Sequence, residues 1–142
     1  MKIYLSSAYH RRLELCTYRD QLQARGHEVT SRWLGGPEQL DTDGNPLGQD
    51  REAMFERGDP AMDELRVMFA GNNVDDIADA DMLILFTGGG RRGGSHVEMG
   101  IAIGLNKRLA IVGPRENVFH WLPGVRQFDG WNGLLEWLKR AP

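Results

Sequence analysis

The residues with chemical potential crowd into one stretch, GGGRRGGSHVEMG, from Gly88 to Gly100. It supplies a carboxylate (Glu98), a hydroxyl (Ser95), an imidazole (His96) and two guanidinium groups (Arg91 and Arg92) beside a run of glycines. A carboxylate aimed at a ligand cleft can serve as nucleophile or base. Free backbone N–H groups at a helix start, next to two arginines and around Gly94, suit a phosphate or another anion. Ser95 and Glu98 also read as S-x-x-E, a capping box in which each residue satisfies an N–H of the first helical turn. The two readings of Glu98 exclude each other, because a carboxylate tied to its own cap is badly placed to attack. A second polar stretch, NNVDDIADAD, carries Asn73, Asp75, Asp76 and Asp79 just ahead of an apolar strand. Solvated acids at a helix end would explain it. Acids there oppose the macrodipole, however, which argues that some serve another purpose.

Other motifs carry less. Gly88, Gly90 and Gly93 satisfy G-x-G-x-x-G, but a dinucleotide site needs that turn after the first strand and an acid ending the next. Gly89 and Gly94 have P-loop spacing, yet Ser95 stands where the lysine belongs. His10, His27, His96 and His120 lack metal-ligand spacing, and Cys16 is the single cysteine, so neither a metal nor a cofactor is expected.

These groups must be positioned by the flanking elements. DMLILFT before the glycines is an apolar run of strand length, and IAIGLNKRLAIVG after them reads as a helix followed by another strand. KIYLSS is a first strand; a helix from about His10 to Arg25 shares Leu15, Tyr18 and Leu22 on one face and closes at Gly26. HEVTSRWL alternates like a strand. The sixteen residues GGPEQLDTDGNPLGQD exceed a connecting turn and predict a lid or a surface excursion. A helix is expected over about Pro60 to Ala80, one near Ser95 to Asn106, and a short strand and amphipathic helix in VRQFDGWNGLLEWLKRAP. Strand–helix alternation with unbroken apolar strands predicts a single doubly wound α/β domain over residues 1–142, Rossmann- or flavodoxin-like. Its parallel sheet of about five strands has helices on both faces. Right-handed crossovers then set three polar turns, SSAYHRR, GGGRRGGSH and GPRENVFH, along one sheet edge.

Bulk properties exclude several classes. Hydrophobic content of 41% and charged content of 26% are ordinary for a globular domain. A net charge of −3, with no basic cluster beyond two residues, argues against a nucleic-acid polymer as partner. No apolar run reaches the ~20 residues that span a bilayer, and MKIYLSS lacks a signal-peptide core, so a cytoplasmic location is expected. Trp33, Trp121, Trp131 and Trp137 read as core or dimer-contact residues.

With these pieces in order, the chain resembles the nucleoside 2-deoxyribosyltransferase family and its relatives that hydrolyse nucleotide N-glycosidic bonds. The resemblance lies in MKIYLSSAYHRR, DDIADADMLILFT, GGSHVEMGIAIGLNKRLAIVG and GPRENVFHWLP, and covers almost the whole chain. It implies that Glu98 is the catalytic nucleophile, acting on C1′ of a 2′-deoxynucleoside or its 5′-monophosphate without a cofactor. It also implies that Ser6, Ser7, Tyr9 and Arg11 form the sugar- and base-binding turn, that Arg91, Arg92, Gly94 and Ser95 hold a 5′-phosphate, and that Asn117 completes the site in a homo-oligomer, most simply a homodimer. Family members usually carry an aspartate seven residues before the alanine opening the strand, and counting back from Ala80 gives Asn73. An amide cannot give up a proton as a general acid, so Asp75, Asp76 or His96 would substitute, or the base would leave unaided. The alternative implied by Asn73 is a nucleotide sensor that does not turn its ligand over.

Overall fold

The computed structural model describes residues 1–35, 39–89 and 93–140. Five strands, β1 (Lys2–Ser6), β2 (Glu28–Val29), β3 (Met82–Phe86), β4 (Arg108–Val112) and β5 (Arg126–Phe128), form one sheet in the order β2-β1-β3-β4-β5. Every neighbouring pair is parallel. The helices are α1 (Arg12–Ala24), α2 (Gly48–Glu56), α3 (Asp63–Asp79), α4 (Gly94–Gly104) and α5 (Trp131–Arg140).

All five residues of β3, MLILF, are buried, as a central strand covered on both faces requires. On one face Tyr18 of α1 stacks on Trp131 of α5, and the Trp131 indole donates to Gln21. α3 and α4 pack together against the other. The strand order reverses direction between β1 and β3, and such a switch point opens a crevice beyond the carboxyl ends of those strands. The doubly wound parallel sheet predicted from the sequence is therefore the observed fold.

One local expectation is corrected, and another gains detail. HEVTSRWL is a strand only at Glu28–Val29 and becomes a 3-10 turn at Arg32–Leu34. Side chains take over from the ladder there: Ser31 Oγ accepts from the Leu5 N–H at 2.7 Å, and the Trp33 indole donates to the Leu5 carbonyl at 2.9 Å. The excursion after Leu34 is not loop throughout. Leu40 and Pro46 form an antiparallel bridge around a turn in which Asp41 accepts from the Asp43 and Asn45 N–H groups. The α2 helix then follows, whose GQDREAMFE sequence shows no apolar stripe to announce it.

The acids around the end of α3 are explained. Asp79 pairs with the Lys2 ammonium at 3.0 Å, Asp81 accepts from the Lys2 backbone N–H at 2.8 Å, and Asp76 binds Arg32. They pin α3 and its exit to the start of β1 and to the turn after β2.

Candidate active site

The capping box does not form. Gly93 is the N-cap of α4, in the left-handed conformation at φ 78°, with no side-chain cap. That conformation costs a glycine little, so the helix starts early and carries Ser95 inside its first turn. Glu98 is thereby released from the helix end and projects toward β1. Its Oε1 accepts from the Ser6 hydroxyl at 2.7 Å and its Oε2 from the Tyr4 hydroxyl at 2.5 Å. A weaker hydrogen-bonding influence comes from Asn73 on α3. Burial raises the Glu98 carboxyl above its usual range; these three donors pull it down, and the charge of Asp76 pushes it up again. Burial also raises the Tyr4 hydroxyl strongly, with the Glu98 charge adding to it, so Tyr4 stays a neutral donor to the carboxylate.

Glu98 lines a cavity of about 510 Å³, within the range of small-molecule sites. The turn after β1 contributes Ser7, Ala8, Tyr9 and His10, and the start of α4 contributes Gly93, Gly94 and Ser95. Tyr9, Trp33, Phe55 and Phe69 supply aromatic wall, with the Tyr9 ring 5.0 Å from Phe55 and 6.3 Å from Trp33. Burial pushes the Tyr9 hydroxyl up to about 12. Asn73 lines the same wall, and its buried Oδ1 has no hydrogen-bond partner among the described residues.

Of the residues the sequence singled out, Ser7, Tyr9, Gly94, Ser95, Asn73 and Glu98 come together at this cavity, with Ser6 behind Glu98. Arg91 and Arg92 lie outside the described residues. Arg11 turns away: its guanidinium pairs with Glu14 at 2.9 Å and donates to the Thr87 carbonyl at 3.1 Å. Asp76 is off the cavity lining, one oxygen accepting from the Arg32 backbone N–H at 2.9 Å and the other from its side chain at 2.8 Å. His96, in the first turn of α4, and Asn117, in the turn after β4, meet in a separate cluster beside the cavity. There Asn117 Nδ2 lies 3.5 Å from His96 Nδ1 and 3.3 Å from His120 Nε2, and His96 Nε2 lies 3.6 Å from Glu116. That turn is held against β3 at Gly113, where a Cβ would come within 2.5 Å of Thr87 Oγ1.

Sequence reasoning missed Tyr4, Phe55, Phe69 and Glu56. Tyr4 reads as one more apolar strand residue. Its fully buried hydroxyl nevertheless demands a partner, and that demand was the available signal. Phe55 and Glu56 went unseen because α2 did, and Phe69 stands in the expected α3 helix with no pattern to set it apart from a core residue.

No protein-family model matches the sequence, and no curated protein is similar enough to match. Solved structures are. A CMP N-glycosidase of Clostridium botulinum is 17% identical, over 99% of this chain and 97% of its own, with a TM-score of 0.55. A 2-deoxyribosyltransferase of Bacillus psychrosaccharolyticus is 18% identical, over 94% of this chain and 90% of its own, with a TM-score of 0.64. Across nearly its whole length, the chain has the fold of these two N-glycosidic enzymes.

Proposed function

We propose that the protein cleaves or transfers the N-glycosidic bond of 2′-deoxynucleosides or their 5′-monophosphates, with Glu98 as nucleophile. One observation carries the reading: a partly buried carboxylate, held by neutral hydroxyls rather than neutralised by a cation, on the wall of an aromatic cavity at the sheet's switch point. The likeness in fold to an N-glycosidase and a deoxyribosyltransferase agrees with it.

In this reading Tyr9, Trp33 and Phe55 flank the base, and the sugar lies over Glu98. A Glu98 oxygen bonds to C1′ as the C1′–N bond breaks and its electron pair leaves with the base. The charge developing on the ring is stabilised by the carboxylate, as in glycosidases. Water then releases the sugar, or a second base takes it. The two hydroxyls fix the carboxylate beneath C1′, so little reorganisation is needed as the bond forms. Gly93, Gly94 and Ser95 at the start of α4, with Arg91 and Arg92, serve the 5′-phosphate. Exposed Val118, Phe119 and Trp121 around the Asn117 turn support a homo-oligomer in which that turn meets a second copy.

The test is incubation with a panel of nucleosides and 5′-monophosphates, of both ribose and 2-deoxyribose, with free base followed by chromatography. Base release is expected, and a new nucleoside on adding an acceptor base marks transfer. Tight binding without release from any member would instead identify a sensor.

A further inference from the structure

We propose that Asn73 makes this a site for bases that leave without a proton from the cavity wall, so that turnover is set by how readily the base departs as an anion. The inference rests on Glu98 being the nucleophile. Asn73 is the group of α3 that lines the cavity and also influences the attacking carboxylate. A carboxylate only accepts, so the Asn73 amide must turn its NH2 toward Glu98. Its Oδ1 then points into the protein, where it is buried and unpartnered among the described residues. Neither end of an amide can release a proton at neutral pH. The NH2 can still donate to an acceptor on the departing base, stabilising its charge without neutralising it.

The other groups facing Glu98 do not replace the missing acid. Tyr4 and Ser6 of β1 already donate to it, and Asp76 of α3 is bound at both oxygens by Arg32. Elsewhere on the wall the titratable groups among the described residues are Tyr9, His10 and Glu56. Tyr9 holds its proton far above neutrality. His10 and Glu56 are exposed at the cavity rim. The electron pair of the broken C1′–N bond therefore stays on the base nitrogen, which takes its proton from water after departure.

The experiment compares base release from 2′-deoxynucleotides of 5-fluorouracil, uracil and 5-methyluracil, three bases of one shape and falling acidity. With the wild-type protein, kcat should rise by about ten-fold or more from 5-methyluracil to 5-fluorouracil, because full charge builds on the base. Asn73→Asp places a second carboxyl beside Glu98, and the pair would share a proton. That variant should flatten the series and add an alkaline fall to its pH profile. If Asn73→Asp does not fold, the wild-type series alone decides. A flat wild-type series, or an alkaline fall that His10→Asn removes, would overturn the role of Asn73 while leaving the reaction intact. Release from no member of this series or of the wider nucleoside and nucleotide panel would remove the reaction, and this inference with it.

Discussion

Asp76 and Glu98 are carboxylates of two packed helices, both withdrawn from bulk water, and the charge of Asp76 acts on Glu98. Asp76 meets a guanidinium and a backbone N–H, two bonds that join the turn after β2 to α3. Glu98 meets two hydroxyls and an amide, and opens on a cavity. A carboxylate neutralised by a cation is spent on structure. One held by neutral donors keeps its charge, and the free energy of desolvating it remains available for reaction. Substitution at the two positions should therefore separate rate from stability.

The largest effect is expected for Glu98→Gln. Glutamine cannot form the glycosyl ester, so base release should fall by at least roughly a thousand-fold, while circular dichroism shows an intact fold. Near-normal release would end the mechanism. Asp76→Ala should do the reverse. It strands the Arg32 N–H and should cost about 1–3 kcal/mol in urea unfolding, the scale of an unsatisfied polar group. Because the Arg32 side chain is 57% exposed and rehydrates, little more is expected from the lost ion pair. Base release at neutral pH should change only a few-fold. A rate collapse in Asp76→Ala matching that of Glu98→Gln would erase the distinction between the two carboxylates.

That distinction is only partly legible in the sequence. The sheet was, because apolar runs such as MLILF and RLAIV announce parallel strands without help from context. The early start of α4 was not: S-x-x-E at a helix start is a sound local rule, and a glycine at φ 78° overrode it. Asp76 and Asp75 look alike in NNVDDIADAD, yet the helix turns one inward to Arg32 and leaves the other exposed. Tyr4 and Ser6 stand two apart on β1, so both side chains face α4. Only the crossing of that helix reveals that they share a partner. Local pattern carried the elements, and long-range pairing carried the site.

The donors to Glu98 offer a finer probe. In the proposed mechanism Glu98 must be ionised to attack, so kcat/KM should rise with pH through its folded-state pKa, which burial holds above the ordinary carboxyl range. Ser6→Ala and Tyr4→Phe each remove a donor that favours the anion. Each should move the acid limb of the profile upward, by about one pH unit for ~1.4 kcal/mol of lost hydrogen bonding. An unmoved limb in both variants would mean that Glu98 is not the group that titrates.

The smallest effect concerns the stability of Glu98→Gln. A carboxyl whose pKa is raised on folding holds its proton more tightly in the native state. Its contribution is present in full below the unfolded-state pKa and is lost as pH rises through the folded one. Above that point the ionised Glu98 is a cost the fold carries for the site. Glutamine has no such cost. Its oxygen can still accept from Tyr4 or Ser6. Glu98→Gln should thus be less stable than wild type at pH 4 and equal or slightly more stable at pH 8, with the two differing by no more than about 1 kcal/mol at either pH. If Glu98 were instead a capping partner, its charge would favour the helix start, and the variant would lose stability as pH rises. The sign of that slope, read from urea titrations at several pH values, assigns the carboxylate to the cavity or to the cap.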